Sequence, residues 1–497
     1  MSNQQATYVT IDLTDYNQGK VVIPDTYYNP NIEPLPKRVK TWTWINFFTI
    51  WAGMVHNIPA FQLAGLLTFE FGAPLTLFII GFAFSTLLIA LYLNGHMGAK
   101  WGIPYPSSVR PMFGIKGARV PTIIRAFSAL FWFAVETYVG GTIVDAVISI
   151  FYPAWQSLSS NVIGMSLHLA ISVFIFWALN VMVLFRGMNE VKDFELIAGP
   201  LVLIILGGLL LYSFHLTNGI GPLFSIKGYE KATLSNVILA ISAMAGFWAT
   251  LVLNISDFTR FSRTQKDQLI GQTIGLPIMS MLFTFISVGI TSTTIYLYHI
   301  PSSEAINYVN PVNIMYLFTD NPYLALLVGI SLIIATVSVN VAANIVSPVY
   351  DLISLFPKRL DSWAKSAIVS AILSFLYVPW LWYNNAGSIE NALGIIGSGL
   401  GSVAGIMIAD YWILNKTEIS LIDLFKPDGK YWYTNGYSVD ALLAMTVGFA
   451  IPIMGFLISQ LSFLYDYGWY LALFSSLTIY VLLRINRESV KYSKKQN

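Results

Sequence analysis

Long apolar runs separated by short polar stretches dominate this chain. Twelve runs stand out, at roughly 44–69, 74–95, 120–150, 161–185, 194–214, 235–256, 272–299, 322–348, 365–385, 389–413, 439–460 and 465–484. Each is long enough for a helix to cross a hydrocarbon core of ~30 Å. Backbone polar groups in lipid need internal partners, so all twelve are predicted to be helices. The charges between them test the count. With both termini placed on the cytoplasmic side, all but two of the 27 Lys and Arg fall in cytoplasmic segments, Lys227 and Lys231 being the exceptions. One span more or fewer would invert every later loop, so the asymmetry supports twelve spans with cytoplasmic ends.

Composition agrees. The 497 residues are 56% hydrophobic and 10% charged, against about 25% charged in soluble domains. The class is therefore an all-α polytopic protein of the cell membrane, with the lipid bilayer as its solvent. A net charge of +2 gives no footprint for a nucleic-acid polymer. There is no cysteine, and the five histidines are scattered without zinc-type spacing, so thiolate and zinc sites are excluded and no cofactor is expected. Residues 1–40 are polar and lack the apolar core of a signal peptide; they are expected to be a mostly irregular cytoplasmic tail. The predicted organisation is a tail at 1–40, a ten-helix core at 41–415, a polar cytoplasmic loop at 416–438, two peripheral helices at 439–485 and a short tail at 486–497. The Gly- and Pro-rich stretch 96–119 is expected to re-enter the membrane partly or to lie on its cytoplasmic face.

Two spans look interrupted. In the first, IWAGMVHNIPAF, Pro59 cannot donate its N–H and disfavours helix at Ile58, with His56 and Asn57 at the break. In the sixth, ISAMAGFWATLVLN, Gly246 precedes Phe247 and Trp248 at mid-depth. Broken helices five spans apart suggest two five-helix repeats of inverted topology, which bind solute and ion at the midplane. A simple proline kink and a packing glycine are the plainer alternative.

The candidate chemistry lies near the same depth. In RAFSALFWFAVETYVGGTIVD, Glu136 stands 11 residues beyond Arg125; at 1.5 Å per residue this is ~16 Å, about half of the hydrocarbon core. A charge there is costly and is rarely kept without a use. Trp132, four residues earlier, shares its face. Span one adds Asn57, span six Phe247 and Trp248, and span eight (LIIATVSVNVAANIVSP) Ser338, Asn340 and Asn344. An amide offers donor and acceptor, a carboxylate accepts two N–H bonds, and two indoles can sandwich a flat ring. The set suits a small planar heterocycle with adjacent N–H and C=O groups. Interfacial anchoring of Trp and helix-to-helix bonding by Asn are the plainer readings of those residues; Glu136 is harder to dismiss. Asp145, near the outer end of the same span, is expected to be solvated. An enzyme would need a nucleophile–base pair or a metal cluster at depth, and none is visible.

These stretches carry a resemblance. IWAGMVHNIPAF, LNGHMGAKWGIPYP, LFWFAVETYVGG, GFWATLVLNISDFTRF, VSVNVAANIVSPVYD and LGSVAGIMIADYW, taken in order, resemble the nucleobase–cation symporter-1 family from about Pro36 to Arg484. The overall pattern is most similar to bacterial allantoin permeases, with hydantoin and cytosine permeases as more distant relatives. The resemblance implies a LeuT-like five-plus-five inverted repeat with two added helices. It implies a substrate held between Trp132 and Trp248 and hydrogen-bonded by Glu136, Asn57 and Asn344. It implies a coupling-ion site on the carbonyls of Gly53, His56 and Ala335 and the hydroxyl of Ser338. A second hydroxyl of the family site falls on Val339, which has no oxygen; hard cations want about five or six, so a Na⁺ site here is weakened. A titratable Glu136 offers a proton route instead. The expected function is a monomeric, cation-coupled (Na⁺ or H⁺) importer of a nucleobase or ureide, with a proton-coupled purine, cytosine or vitamin-precursor permease as the alternative.

Overall fold

The computed structural model describes residues 7–184, 188–229, 232–301, 304, 308–309, 322–383 and 386–496; Arg186 and Lys231 lie outside them, as do the side chains of Lys192, Lys491, Lys494 and Lys495. Among the described residues, eleven helices are long and apolar enough to cross a membrane. Two shorter apolar helices, Trp44–Val55 and Ile58–Phe71, together make the first span, which gives the expected twelve. Spans two to six are Ala73–Trp101, Arg119–Phe151, Leu167–Leu184, Met188–Leu216 and Leu234–Asn254. Span seven is Gln265–Tyr298 and span eight runs from Pro322 to Leu355. Spans nine to twelve begin at Trp363, Ala386, Val439 and Gly468.

The first span breaks where Pro59 predicts. His56 leaves helical geometry (φ −87°, ψ 53°), and Asn57 caps the second half by accepting a hydrogen bond from Ala60 N. Pro59 sits in the first turn of that half, where a missing N–H costs nothing. The sixth span differs from expectation. Leu234–Asn254 is a continuous α-helix, and Gly246 does not break it. A Cβ on Gly397 of span ten would stand 3.5 Å from Gly246 Cα, so the two glycines let spans six and ten pack closely. Span eight instead carries an irregularity with no counterpart in the sequence pattern: Asn340–Ile345 is a π-helical segment. Such bulges rotate side chains out of register and recur at functional sites.

Two other expectations are corrected. The run 161–185 is not all helix: Asn161–Val162 and Met165–Ser166 form a small hairpin before the helix starts at Leu167. The 96–119 stretch is packed inside the protein. Its first part extends span two to Trp101, and the rest forms two buried short helices, Tyr105–Ser108 and Arg110–Phe113. Residues 7–40 of the tail are not irregular: Tyr8–Asp12 (β1) pairs antiparallel with Lys20–Pro24 (β2), and 3-10 turns follow.

The tail is strapped across one end of the bundle. Arg260 donates to the carbonyls of Asn31 (2.8 Å) and Glu33 (2.7 Å). Ser107 Oγ donates to Ile32 O (2.8 Å), and Arg110 donates to the carbonyls of Tyr27 and Leu424. Gln18 bonds both Ile419 O and Leu421 N in the 416–438 loop, whose Leu421, Leu424, Phe425 and Tyr431 are buried.

Candidate functional site

A cavity of about 890 Å³ opens at the end of the bundle opposite the tail. Glu70, Asn236, Asn391 and Tyr465 stand among its walls, and Trp132 and Phe247 also line it. Trp469, at the start of span twelve, lines it too, which brings the last pair of helices to the vestibule. On one wall Tyr383 Oη donates to Gln62 Oε1 (2.8 Å), joining the second half of span one to the connection between spans nine and ten.

Three aromatic residues from spans three and six meet next to the vestibule; Trp132 and Phe247 line it, and Trp248 lies behind Phe247. Trp132 lies edge-on to Phe247, ring centroids 4.7 Å apart, and Phe247 lies edge-on to Trp248 at 5.4 Å. Trp248 in turn meets Trp51 of span one at 5.9 Å. The indoles of Trp132 and Trp248 are thus joined through Phe247. Glu136 lies one helical turn beyond Trp132 and is 2% exposed. Its Oε2 has no hydrogen-bond partner, and neither has Trp132 Nε1. A buried polar atom without a partner costs about 1–3 kcal/mol, so a carboxylate oxygen and an indole N–H one turn apart make an incomplete site. The arrangement is suited to a ligand that supplies both an N–H and a C=O.

The asparagines split between roles. Asn340 Nδ2 donates to Thr137 Oγ1 (3.1 Å) and weakly to Phe133 O (3.4 Å), and Asn344 Nδ2 donates to Asn340 Oδ1 (3.1 Å). The π-helical segment is therefore pinned to span three on both sides of Glu136. Asn57 is engaged as a cap: Oδ1 accepts from Ala60 N (2.7 Å) and Nδ2 donates to Met54 O (3.2 Å).

Of the expected ion ligands, Gly53 and Ser338 meet: a Cβ on Gly53 would stand 2.8 Å from Ser338 Oγ. His56, Ala335 and Val339, on the same two spans, are buried as well. Both ring nitrogens of His56 lack partners, and its ring lies edge-on to Phe283 at 5.3 Å. A residue absent from the sequence expectation stands among them. Glu195 of span five is fully buried, and its Oε2 accepts a hydrogen bond from Ser338 Oγ (2.5 Å).

Asp145 is not solvated. It is half-buried and accepts bonds from Trp155 Nε1 (2.9 Å) and Ser172 Oγ (3.1 Å), with His168 Nδ1 at 2.8 Å. His168 Nε2 lies 2.7 Å from Ser166 Oγ.

At the tail end the route is shut by a polar chain. Arg125 donates from Nε and Nη2 to Asn254 Oδ1 (3.0 and 2.8 Å), and the Asn254 amide donates to Ser347 Oγ. Ser347 donates to Asp257 Oδ2 (2.6 Å), whose other oxygen accepts from Tyr105 N (2.7 Å). Spans three, six and eight and the 102–115 connection are joined there. Arg125 is fully buried there.

The family described as "Permease for cytosine/purines, uracil, thiamine, allantoin" matches residues 34–472. The chain belongs to this family. Among similar proteins, the allantoin permease of Bacillus subtilis is 38% identical over 462 residues, 92% of each chain. The purine-uracil permease of Arabidopsis thaliana is 31% identical, covering 91% of this chain and 75% of that one. A solved nucleobase-cation-symport-1 family transporter, in a closed conformation with bromovinylhydantoin bound, superposes with a TM-score of 0.78 at 25% identity. That likeness covers 93% of this chain and 97% of the other. This permease therefore has the LeuT-like fold expected of it, a polytopic transporter architecture.

Glu195 escaped the sequence reading for a physical reason. The apolar run starts near residue 194, so an acid there looks like a solvated boundary residue. The helix begins at Met188, which places Glu195 two turns inside it. The usable signal was the match of its neighbours to a helical face, Gly199 lying one turn on.

Proposed function

We propose that this permease is a secondary active symporter importing a nucleobase or a related ureide such as uracil, allantoin or hydantoin, driven by a cation. The observation that carries the reading is the pair of unpartnered buried atoms, Glu136 Oε2 and Trp132 Nε1, beside the aromatic edge of the vestibule. The solute would lie against Trp132, Phe247 and Trp248 and complete hydrogen bonds to Glu136, Asn344 and Asn57. The cation, Na⁺ or H⁺, would act at Gly53, His56, Ala335 and Ser338. Hydantoin in a transporter of the same fold, and the allantoin and purine–uracil permeases among its relatives, support this solute class. The vestibule would face outward and the strapped end the cytoplasm, in keeping with the Lys and Arg asymmetry. The protomer holds both candidate sites within one chain, so a monomer would suffice.

An enzyme reading would have to stand on Ser166, His168 and Asp145, which are bonded in series. These residues line neither the vestibule nor the 10 Å³ pocket beside Thr137 and Tyr138, so no substrate space adjoins them there.

The deciding experiment loads proteoliposomes with buffer and presents labelled uracil, cytosine, adenine, allantoin and hydantoin, with and without Na⁺. Intact label concentrated inside supports the symporter. Chemically altered label would favour an enzyme, and binding without accumulation would favour a sensor.

A further inference from the structure

Span five approaches the first half of span one more closely than side chains normally allow. A Cβ placed on Gly199 would lie 3.2 Å from Gly53 N, and one placed on Gly53 would lie 1.6 Å from Glu195 Oε2 and 2.8 Å from Ser338 Oγ. The carboxylate therefore rests directly on the backbone of residue 53. It can do so only because that residue is glycine. On its other side it holds the Ser338 hydroxyl at 2.5 Å. Glu195 thus stands between the two helices whose carbonyls and hydroxyl form the expected ion site.

Its second oxygen, Oε1, is buried and has no hydrogen-bond partner, while Glu195 as a whole is 0% exposed. Among the described residues no Lys or Arg pairs with it, and its hydrogen-bond partner is the Ser338 hydroxyl. A carboxylate held this deep without a cation is costly. The C-terminal end of the first half-helix, Trp44–Val55, adds the negative pole of a helix dipole and the carbonyls released at His56. Negative charge gathers where Glu195, Gly53 and Ser338 meet, and among the described side chains nothing cationic answers it.

The donor set fits a small hard monovalent cation. Val339 removes one oxygen from the inferred site, and Glu195 brings two. Together with Ser338 Oγ and the carbonyls of Gly53, His56 and Ala335 this approaches the five or six oxygens that hard cations prefer. One carboxylate is balanced by one positive charge; a divalent ion would leave a net charge buried in the membrane interior.

We propose that Glu195 is a direct ligand of the coupling Na⁺ and replaces the oxygen that Val339 lacks. This rests on the symporter reading above. The division of labour is then between two carboxylates: Glu136 faces the solute and Glu195 faces the ion.

The test is Na⁺ titration of the purified full chain at constant ionic strength, with choline chloride as the balancing salt. The readout is the midpoint of thermal unfolding, since a ligand that binds only the folded state raises it. The wild-type midpoint should rise saturably with Na⁺ and stay flat with K⁺. Glu195→Gln should raise the half-saturating Na⁺ concentration at least about 10-fold, the order lost when even an outer partner of a metal ligand is removed. Glu195→Asp, which withdraws the carboxylate by one methylene, should weaken the response while keeping it, and it decides the matter if the Gln variant does not fold. No Na⁺-specific rise in the wild type, or unchanged half-saturation in the variants, would overturn the assignment. Solute accumulation measured in parallel separates the two claims. Accumulation without a Na⁺ response removes Glu195 as an ion ligand and leaves the permease standing. A Na⁺ response without accumulation does the reverse.

Discussion

At the scale of single residues, the decisive feature is polar atoms that the protein itself leaves unpaired. Trp132→Ala should lower solute affinity by about 1–3 kcal/mol, the range for a ring stacked on an aromatic side chain. Equilibrium binding of labelled solute measures it, and an unchanged dissociation constant would remove Trp132 from the site. Glu136→Gln keeps the shape and exchanges an acceptor for a donor at one oxygen. Hydrogen bonds to charged groups contribute about 1.5–3 kcal/mol, so affinity for a solute donating N–H should fall by about 10-fold or more. The Na⁺-dependent rise in unfolding temperature should persist in this variant, because Glu195 would serve the ion. A joint loss of both responses would show that the two carboxylates are not separate. Glu136 was legible in the sequence because an acid isolated in the middle of an apolar run has no ordinary explanation. Glu195 was not, because the edge of a hydropathy run does not mark the edge of a helix when polar residues such as Asn189 and Asp193 continue it.

At the scale of elements, the break in span one and the bulge in span eight do the positioning. The break was readable because proline leaves a covalent signature in the sequence. The π-helical segment was not, since one extra residue in a turn of fully apolar and amide side chains disturbs no visible period. Gly246 misled in the opposite direction: glycine permits close helix packing as readily as it permits a break, and Gly397 opposite it decides between them. Asn57 shows how an element can compete with a ligand for one side chain. Its amide already caps the second half-helix. Asn57→Ala should cost about 1 kcal/mol of stability through the lost cap, while Asn57→Ser, itself a good cap, should cost little. If the amide also binds solute, both variants should lose affinity alike. Recovery of affinity in the Ser variant, read by the same binding assay, would confine Asn57 to capping.

At the scale of the whole molecule, the structure is open at the vestibule and shut at the strapped end, where the tail binds connections from both halves of the chain. The tail's polar composition concealed this, because carbonyls offered to Arg110 and Arg260 carry part of the contact and only a few scattered apolar side chains, Ile11, Leu13, Ile23 and Ile32, are buried against the core. Lys40, just before span one, is the last tether of that strap, and its Nζ donates to Ala99 O. Burial, and to a lesser extent Lys37 nearby, pushes its pKa down from 10.5 to about 8. The docked state therefore binds fewer protons than the undocked one between these two values. Stability rises with pH wherever the unfolded or undocked form holds the extra proton. Below pH 8 both forms are charged and the burial cost is present in full; it is relieved as pH climbs from about 8 to 10.5. Other groups titrate in that window, so the informative quantity is a difference. The unfolding midpoint of the wild type minus that of Lys40→Met should be constant up to pH 8 and then increase toward pH 10.5. A difference that stays level across the window would mean that the Lys40 ammonium pays no burial penalty.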